Sequence, residues 1–433
     1  MSSLSERLKA LGVRVGTADL PPPEPVDRYE ISSIVPGVFR STGLGDVFVA
    51  EQVFAGDYRH GMASILPTAP FARVAQWARD ASLGEMPLES FAFLDTETSG
   101  LSGGTGTYAF LVGVGRFLDG HFQLQQFFMR DPAEEAALLE GLAEFLAPAR
   151  ALVTFNGKAF DAPLLLTRYS LHRMPVPFKG YAHLDLLPLA RRLWRDRLPS
   201  RALKYLEEHV LGMARASEEV PGYEIPWLYF DYLRSGDARP LAGVFYHNAM
   251  DVVALAALLA HTSGMIADPY AGLVQHGLDF IALAKLFEDL GHWDEAAQLY
   301  EHGLQTTLSI PAREQPAETS SEPGLSLDAA LVATAESDFS TAVRRLSILH
   351  KRRGDLERAV FFWEQAAGEG HLYAYVELAK HYEHSLRDVS SALRWTRSGL
   401  KQLKKSALPP YIRKYWLTDL EHRQERLKRK AGL

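Results

Sequence analysis

Residues 93–115 read FLDTETSGLSGGTGTYAFLVGVG, and two different sites can be found in them. Asp95 and Glu97 offer a pair of carboxylates, whereas Gly104-Thr105-Gly106-Thr107-Tyr108-Ala109 fits the G-x-G-x-x-A spacing of a dinucleotide loop. A dinucleotide loop must lead from a strand into a helix, because the helix N-terminus receives the pyrophosphate. The residues after these glycines, Tyr108 to Phe117, are aromatic and β-branched, so they read as a strand. The glycines therefore connect two strands. The carboxylates stand at the end of the apolar strand FAFL, where alternation sends both side chains to one face and two like charges call for a cation.

Working outward, the pattern from about residue 89 is α/β. The strand YAFLVGVGRF has a hairpin partner in HFQLQQFFM from His121, an Ala/Leu/Glu helix covers about Pro132 to Leu146, and the strand ALVTF closes at Asn156. Three neighbouring strands, a helix and another strand predict a mixed central sheet flanked by helices. Residues 1–88 are mixed and Pro-rich, with LPPPEP at Leu20 to Pro25 and a β-like run from Gly45 to Glu51, and read as an accessory N-terminal segment.

Composition limits the chemistry. The chain has 433 residues and no cysteine, so a metal here needs oxygen or imidazole ligands. The first residues, MSSLSERLKALGVRV, hold no apolar core of signal-peptide length, and no apolar run approaches the roughly 18 residues of a membrane span. A soluble, cytoplasmic protein without membrane contact is the expectation. Net charge is −7, yet residues 401–433 hold ten Lys/Arg against three Asp/Glu. Such a basic tail suits either polyanion contact or a solvated terminal helix.

The carboxylate pair has partners further on. Phe155-Asn156-Gly157-Lys158-Ala159-Phe160-Asp161 carries a strand end into a helix, where an acid also suits a plain cap. Phe245-Tyr246-His247-Asn248-Ala249-Met250-Asp251 heads the apolar helix VVALAALLAH, with His247 one turn from Asp251 on the same face. In this order the motifs resemble the DEDD superfamily of 3′→5′ exonucleases, the DnaQ-like branch of the ribonuclease H-like fold. The surrounding runs, HLDLLPLARRLW from His183 and PGYEIPWLYFDYLRSG from Pro221, look closest to the YprB-like group. The resemblance spans about residues 89–262 and implies an exonuclease domain over 89–265.

What the resemblance implies is hydrolysis of phosphodiester bonds from the 3′ end of single-stranded DNA or RNA. Asp95, Glu97, Asp161 and Asp251 would hold two Mg²⁺ or Mn²⁺ ions about 3.5–4 Å apart, one activating water and the other stabilising the leaving oxygen. The family places its general base as Tyr with three residues before the last Asp, or as His with four. Here His247 stands in the tyrosine slot and Tyr246 in the histidine slot, so His247 is taken as the base and Tyr246 remains the alternative. Thr98, Leu101 and Asn156, with Tyr246, are the residues expected to border the nucleotide. Asp185 suits a supporting role or a helix cap. The six Lys/Arg between 190 and 204, set against one acid, suit phosphate contact or a solvated helix face.

Beyond about 270 the sequence turns helical. Aligning Gly291-x-Trp-x-Glu-Ala296 with Gly354-x-Leu-x-x-Ala359 sets the alanines 63 residues apart, and Ala392 follows Ala359 by 33. That second spacing matches the tetratricopeptide period of about 34. The longer interval is filled by TTLSIPAREQPAETSSEPGLSLDA, expected as a flexible insertion near 306–328 in a helical-repeat domain over 270–433. Such repeats present a surface for a protein partner or a guided substrate. A rival reading makes the whole chain a non-catalytic adaptor that binds nucleic acid or protein, since a fold alone does not specify chemistry.

Overall fold

The computed structural model describes residues 29–100, 106–215, 220–308 and 327–433. Leu101, and most of the insertion expected near 306–328, lie outside the described residues. The chain clusters into two compact units, one built from Met1–Tyr58, Pro87–His183 and Ala214–Leu255, the other from Arg59–Met86, Leu184–Met213 and Ala256–Leu433.

The first unit is organised by a seven-stranded mixed sheet. Its strands are β1 (Val38–Thr42), β2 (Gly45–Phe54), β3 (Phe91–Thr98), β4 (Ala109–Leu118), β5 (His121–Phe128), β6 (Ala151–Thr154) and β7 (Ala182–Asp185). They lie in the order β1-β2-β5-β4-β3-β6-β7. β4 and β5 form a tight hairpin through Asp119 (φ 48°) and Gly120 (φ 77°), the Asp-Gly pair that a two-residue turn with positive φ favours. β1 and β2 extend this sheet, β2 pairing antiparallel with β5 from Phe48 opposite Phe128 to Phe54 opposite Phe122. β6 pairs parallel to β3 from Phe91 opposite Ala151, so both strands bring their carboxyl ends to one side.

Helices close this unit. α1 (Glu135–Leu146) buries Leu138, Leu139 and Leu142 in the core, and α2 (Asp161–Leu171) buries Leu165 and Tyr169, whose hydroxyl donates to Leu139 O at 2.7 Å. Tyr229, on α4 (Ile225–Ser235), stacks on Phe110 of β4 with centroids 4.0 Å apart, while its hydroxyl donates to Met129 O. α5 runs from Leu241 to Ala267, beginning six residues before His247 rather than at the motif, and thus holds His247 and Asp251 in helix interior. By length and composition α5 could cross a membrane, contrary to the expectation that no run would, but 78% of its most apolar window is buried in the protein, as in a core helix.

The second unit is dominated by helices. α3 (Leu186–Trp194) is capped by Asp185, whose carboxylate accepts from Leu187 N at 3.0 Å. From Gly277 the regular elements of the described residues are helices: α6 (Gly277–Asp289), α7 (Trp293–Leu308), α8 (Leu327–Arg352), α9 (Leu356–Gly368), α10 (Leu372–Lys380), α11 (Val389–Lys405) and α12 (Pro410–Ala431). Consecutive helices pack on one another, and the turns at Gly291 (φ 84°) and Gly354 (φ 81°) use a conformation that costs glycine little. Ala296, Ala359 and Ala392 are all fully buried, as residues without bulk must be where helices approach closely.

Candidate active site

β3 carries the first two carboxylates. The strand runs on through Asp95-Thr96-Glu97-Thr98 instead of stopping before them, helped by two β-favouring threonines, and its register shifts between Glu97 and Thr98. Asp95 and Glu97 point to one face. β6 ends beside them at Thr154, and the backbone then turns at Asn156 (φ 66°), a residue that tolerates the left-handed region. That turn delivers Asp161 at the start of α2, where its Oδ1 accepts from Thr96 Oγ1. Asp251 comes in from α5.

Electrostatics tie the four acids together. The Asp95 carboxyl is held well above the usual carboxylate range, first by burial and then by the charges of Asp251, Glu97 and Asp161, with the hydrogen bond from Asn248 acting the other way. Glu97 is pushed up to about 8 by burial, then by Asp251 and Asp161, against the pull of Arg215. The structure thus brings Asp95, Glu97, Asp161 and Asp251 within mutual electrostatic range. Among the described residues no three acidic or imidazole side chains are already drawn closely enough to hold an ion. The hydrogen bonds show why: Asp161 is turned to Thr96, and Asp251 Oδ1 accepts from the buried Arg215 Nη2.

Four carboxylates and no thiolate form a hard oxygen donor set, and two of them resist ionisation because they are buried and because their neighbours are negative. That chemistry fits a divalent cation such as Mg²⁺ or Mn²⁺. His247 lies one turn from Asp251, with Nε2 3.5 Å from Oδ2, and is mostly buried. Tyr246 is rotated about 100° around the helix and is the exposed member of the pair. Beside Asp161 is a cavity of about 280 Å³, lined in part by Thr98, Asn156 and the exposed ring of Phe160. Thr98 and Asn156 therefore border the space next to a carboxylate, while Leu101 lies outside the described residues.

Three supporting residues escape a reading of motifs. Asn248 Nδ2 donates to Asp95 Oδ2 at 2.9 Å, and its Oδ1 accepts from Gln126 Nε2 at 3.0 Å. Gln126 also donates to Phe245 O, so both side chains are fixed at full burial. Asp95, Gly113 and Gln126 are directly opposite one another across β3, β4 and β5, and a Cβ on Gly113 would stand 2.2 Å from Asn248 Oδ1. Gly113 is the gap through which α5 reaches the sheet. Arg215 is the third, and no motif announced it. The basic cluster after residue 190 is largely engaged elsewhere: Arg197 bonds Asp279 at 2.7 Å and Arg192 pairs with Asp289.

Comparison with known proteins agrees with this picture. Residues 92–263 match the RNase_H superfamily. The uncharacterized protein YprB of Bacillus subtilis (strain 168) is 32% identical over 315 residues, an alignment covering 71% of this chain and 68% of that protein.

Proposed function

The chain belongs to the YprB family and contains an RNase H-like superfamily domain, and from that premise we propose that it is a metal-dependent 3′→5′ exonuclease of single-stranded DNA or RNA. The observation that carries the proposal is the approach of Asp95, Glu97, Asp161 and Asp251 to within mutual electrostatic range beside the carboxyl ends of β3 and β6, with Asp95 and Glu97 driven to high pKa by burial and then by their acidic neighbours. These four residues would hold two Mg²⁺ or Mn²⁺ ions. Bound there, the ions supply charge neutralisation at the scissile phosphate and an acidified water.

The chain's own residues do the rest. Thr98 and Asn156, on the cavity beside Asp161, position the 3′-terminal nucleotide, and the exposed face of Phe160 offers its base a flat surface. His247 accepts the proton of the attacking water, and its contact with Asp251 orients the ring. Asn248 keeps Asp95 aimed by filling one oxygen with a neutral donor. In the helical region, the burial of Ala296, Ala359 and Ala392 supports tetratricopeptide-like repeats.

One observation favours the adaptor reading: Arg215 already neutralises Asp251. The two readings part in one experiment, in which purified protein meets end-labelled single-stranded DNA and RNA with Mn²⁺, with chelator, and as Asp161→Asn. Shortening from the 3′ end that needs the ion and disappears in Asp161→Asn supports the nuclease. Equal products from both proteins, or none from either, remove it.

A further inference from the structure

The all-helical region contains a second site. Between α8, α9, α10 and α12 lies a groove of about 600 Å³, a size suited to a nucleotide-scale ligand. Five cations line it, Arg344, Lys351, Arg352, Lys380 and Arg423, against two acids, Glu377 and Asp419. Lys351 and Lys380 both bond Glu377, at 2.6 and 2.7 Å, and Asp419 stands 3.9 Å from Arg423. Arg344 and Arg352 are left without a carboxylate partner among the described residues, each lying against an aromatic ring, Tyr373 at 5.1 Å and Trp293 at 5.7 Å.

Arg423, only 7% exposed, is held in the wall by Glu383 at 3.7 Å and by Asp419. The excess of cations over acids asks for a negatively charged ligand. At the rim Tyr415 is 67% exposed, with its ring centroid 5.4 Å from that of Trp416. An exposed ring beside unpaired cations suits a stacked base and phosphates together, whereas an acidic peptide would use the cations and leave the ring face idle.

We propose that this groove binds single-stranded nucleic acid, with Arg344 and Arg352 on the phosphates and Tyr415 stacking on a base. The choice of a strand over other polyanions rests on the nuclease reading, but the binding can be tested without cleavage. The probe is fluorescein-labelled oligothymidylate or oligouridylate, mixed with full-length Asp161→Asn protein in chelator and followed by anisotropy over a KCl series. Adding Arg344→Glu with Arg352→Glu, both exposed positions, should weaken binding at least tenfold and flatten the log–log salt slope by about 1.4, the share of two phosphate contacts on a single strand. Tyr415→Ala should weaken it roughly fivefold or more while leaving the slope unchanged. Affinity and slope unaltered in all variants overturn the assignment. So does a labelled oligoglutamate that binds and is lost in the charge-reversed protein while oligonucleotide affinity holds, since the groove is then a peptide site. If wild type cuts nothing yet charge reversal abolishes oligonucleotide binding, the groove stands and the nuclease reading falls.

Discussion

Asn248 reaches Asp95 across the bare backbone of Gly113: its amide nitrogen is 2.9 Å from Asp95 Oδ2, and a methyl group on Gly113 would occupy the place of its amide oxygen. Gln126 completes the tether from the next strand. A neutral donor here fixes one carboxylate oxygen without cancelling its charge, which leaves the charge for a cation. Gly113→Ala and Asn248→Leu should each lower Mn²⁺ affinity and cleavage by roughly 10–100-fold, the usual scale for a lost supporting partner of a ligand. Asn248→Gln, with a longer amide, should recover part of the loss. The measurements are thermal-shift titration with Mn²⁺ and the strand-shortening assay; unchanged ion affinity in Gly113→Ala would show that the tether does not serve the carboxylates.

A pH dependence follows from the raised carboxyls. In the metal-free folded protein Glu97 titrates at about 8 and Asp95 well above its usual range, while both are ordinary acids once unfolded. Between the two values the folded state binds more protons, so this contribution to stability is complete below the unfolded pKa and is lost as pH rises through the folded one. The wild type should therefore melt progressively lower than Glu97→Gln as pH goes from about 5 to about 8.5. Mn²⁺ should restore more stability at the high end, because ion binding there displaces fewer protons. A melting difference between the two proteins that stays constant across pH would contradict the raised Glu97 carboxyl.

Local chemistry explains how much of this was legible in advance. The strands β3, β4 and β5 show period-two patterns and an Asp-Gly turn, and three of the four acids sit in short motifs whose spacing follows directly from strand and helix geometry. Asp251 and His247 are a helical turn apart whatever the helix packs against. By contrast, the pairing of β2 with β5 joins residues some 80 apart, from Phe48 to Phe128, and no local pattern encodes a pairing of that range. Gly113 carried a signal, since glycine inside a strand marks a close approach, but a glycine does not say what approaches. Arg215, Asn248 and Gln126 are ordinary polar residues until the tertiary fold brings them to the acids.

Arg215 gives a further test. Its guanidinium is buried and donates to Asp251 Oδ1, so in the absence of a divalent ion it is the positive charge closest to hand. Arg215→Gln should destabilise the metal-free protein by up to about 3 kcal/mol, less than for a fully buried pair because Asp251 keeps some exposure. The same variant should gain more from Mn²⁺ than wild type does, since no arginine has to be displaced from Asp251. Equal Mn²⁺ shifts in both proteins would mean that Arg215 and the ion do not compete for the carboxylate.

The last test separates His247 from Tyr246. His247 shares a helix face with Asp251 and lies 3.5 Å from it, whereas Tyr246 is turned away and exposed. If His247 takes the proton from water, His247→Ala should slow cleavage by about 10²–10⁴-fold, and Tyr246→Phe should cost much less, because it removes only a hydroxyl from an exposed side chain and keeps the ring. The reverse ranking, with Tyr246→Phe inactive and His247→Ala nearly normal, would require α5 to turn its other face to the carboxylates during the reaction. Equal, small losses in both variants would leave the proton to solvent, and the carboxylates alone would then carry the chemistry.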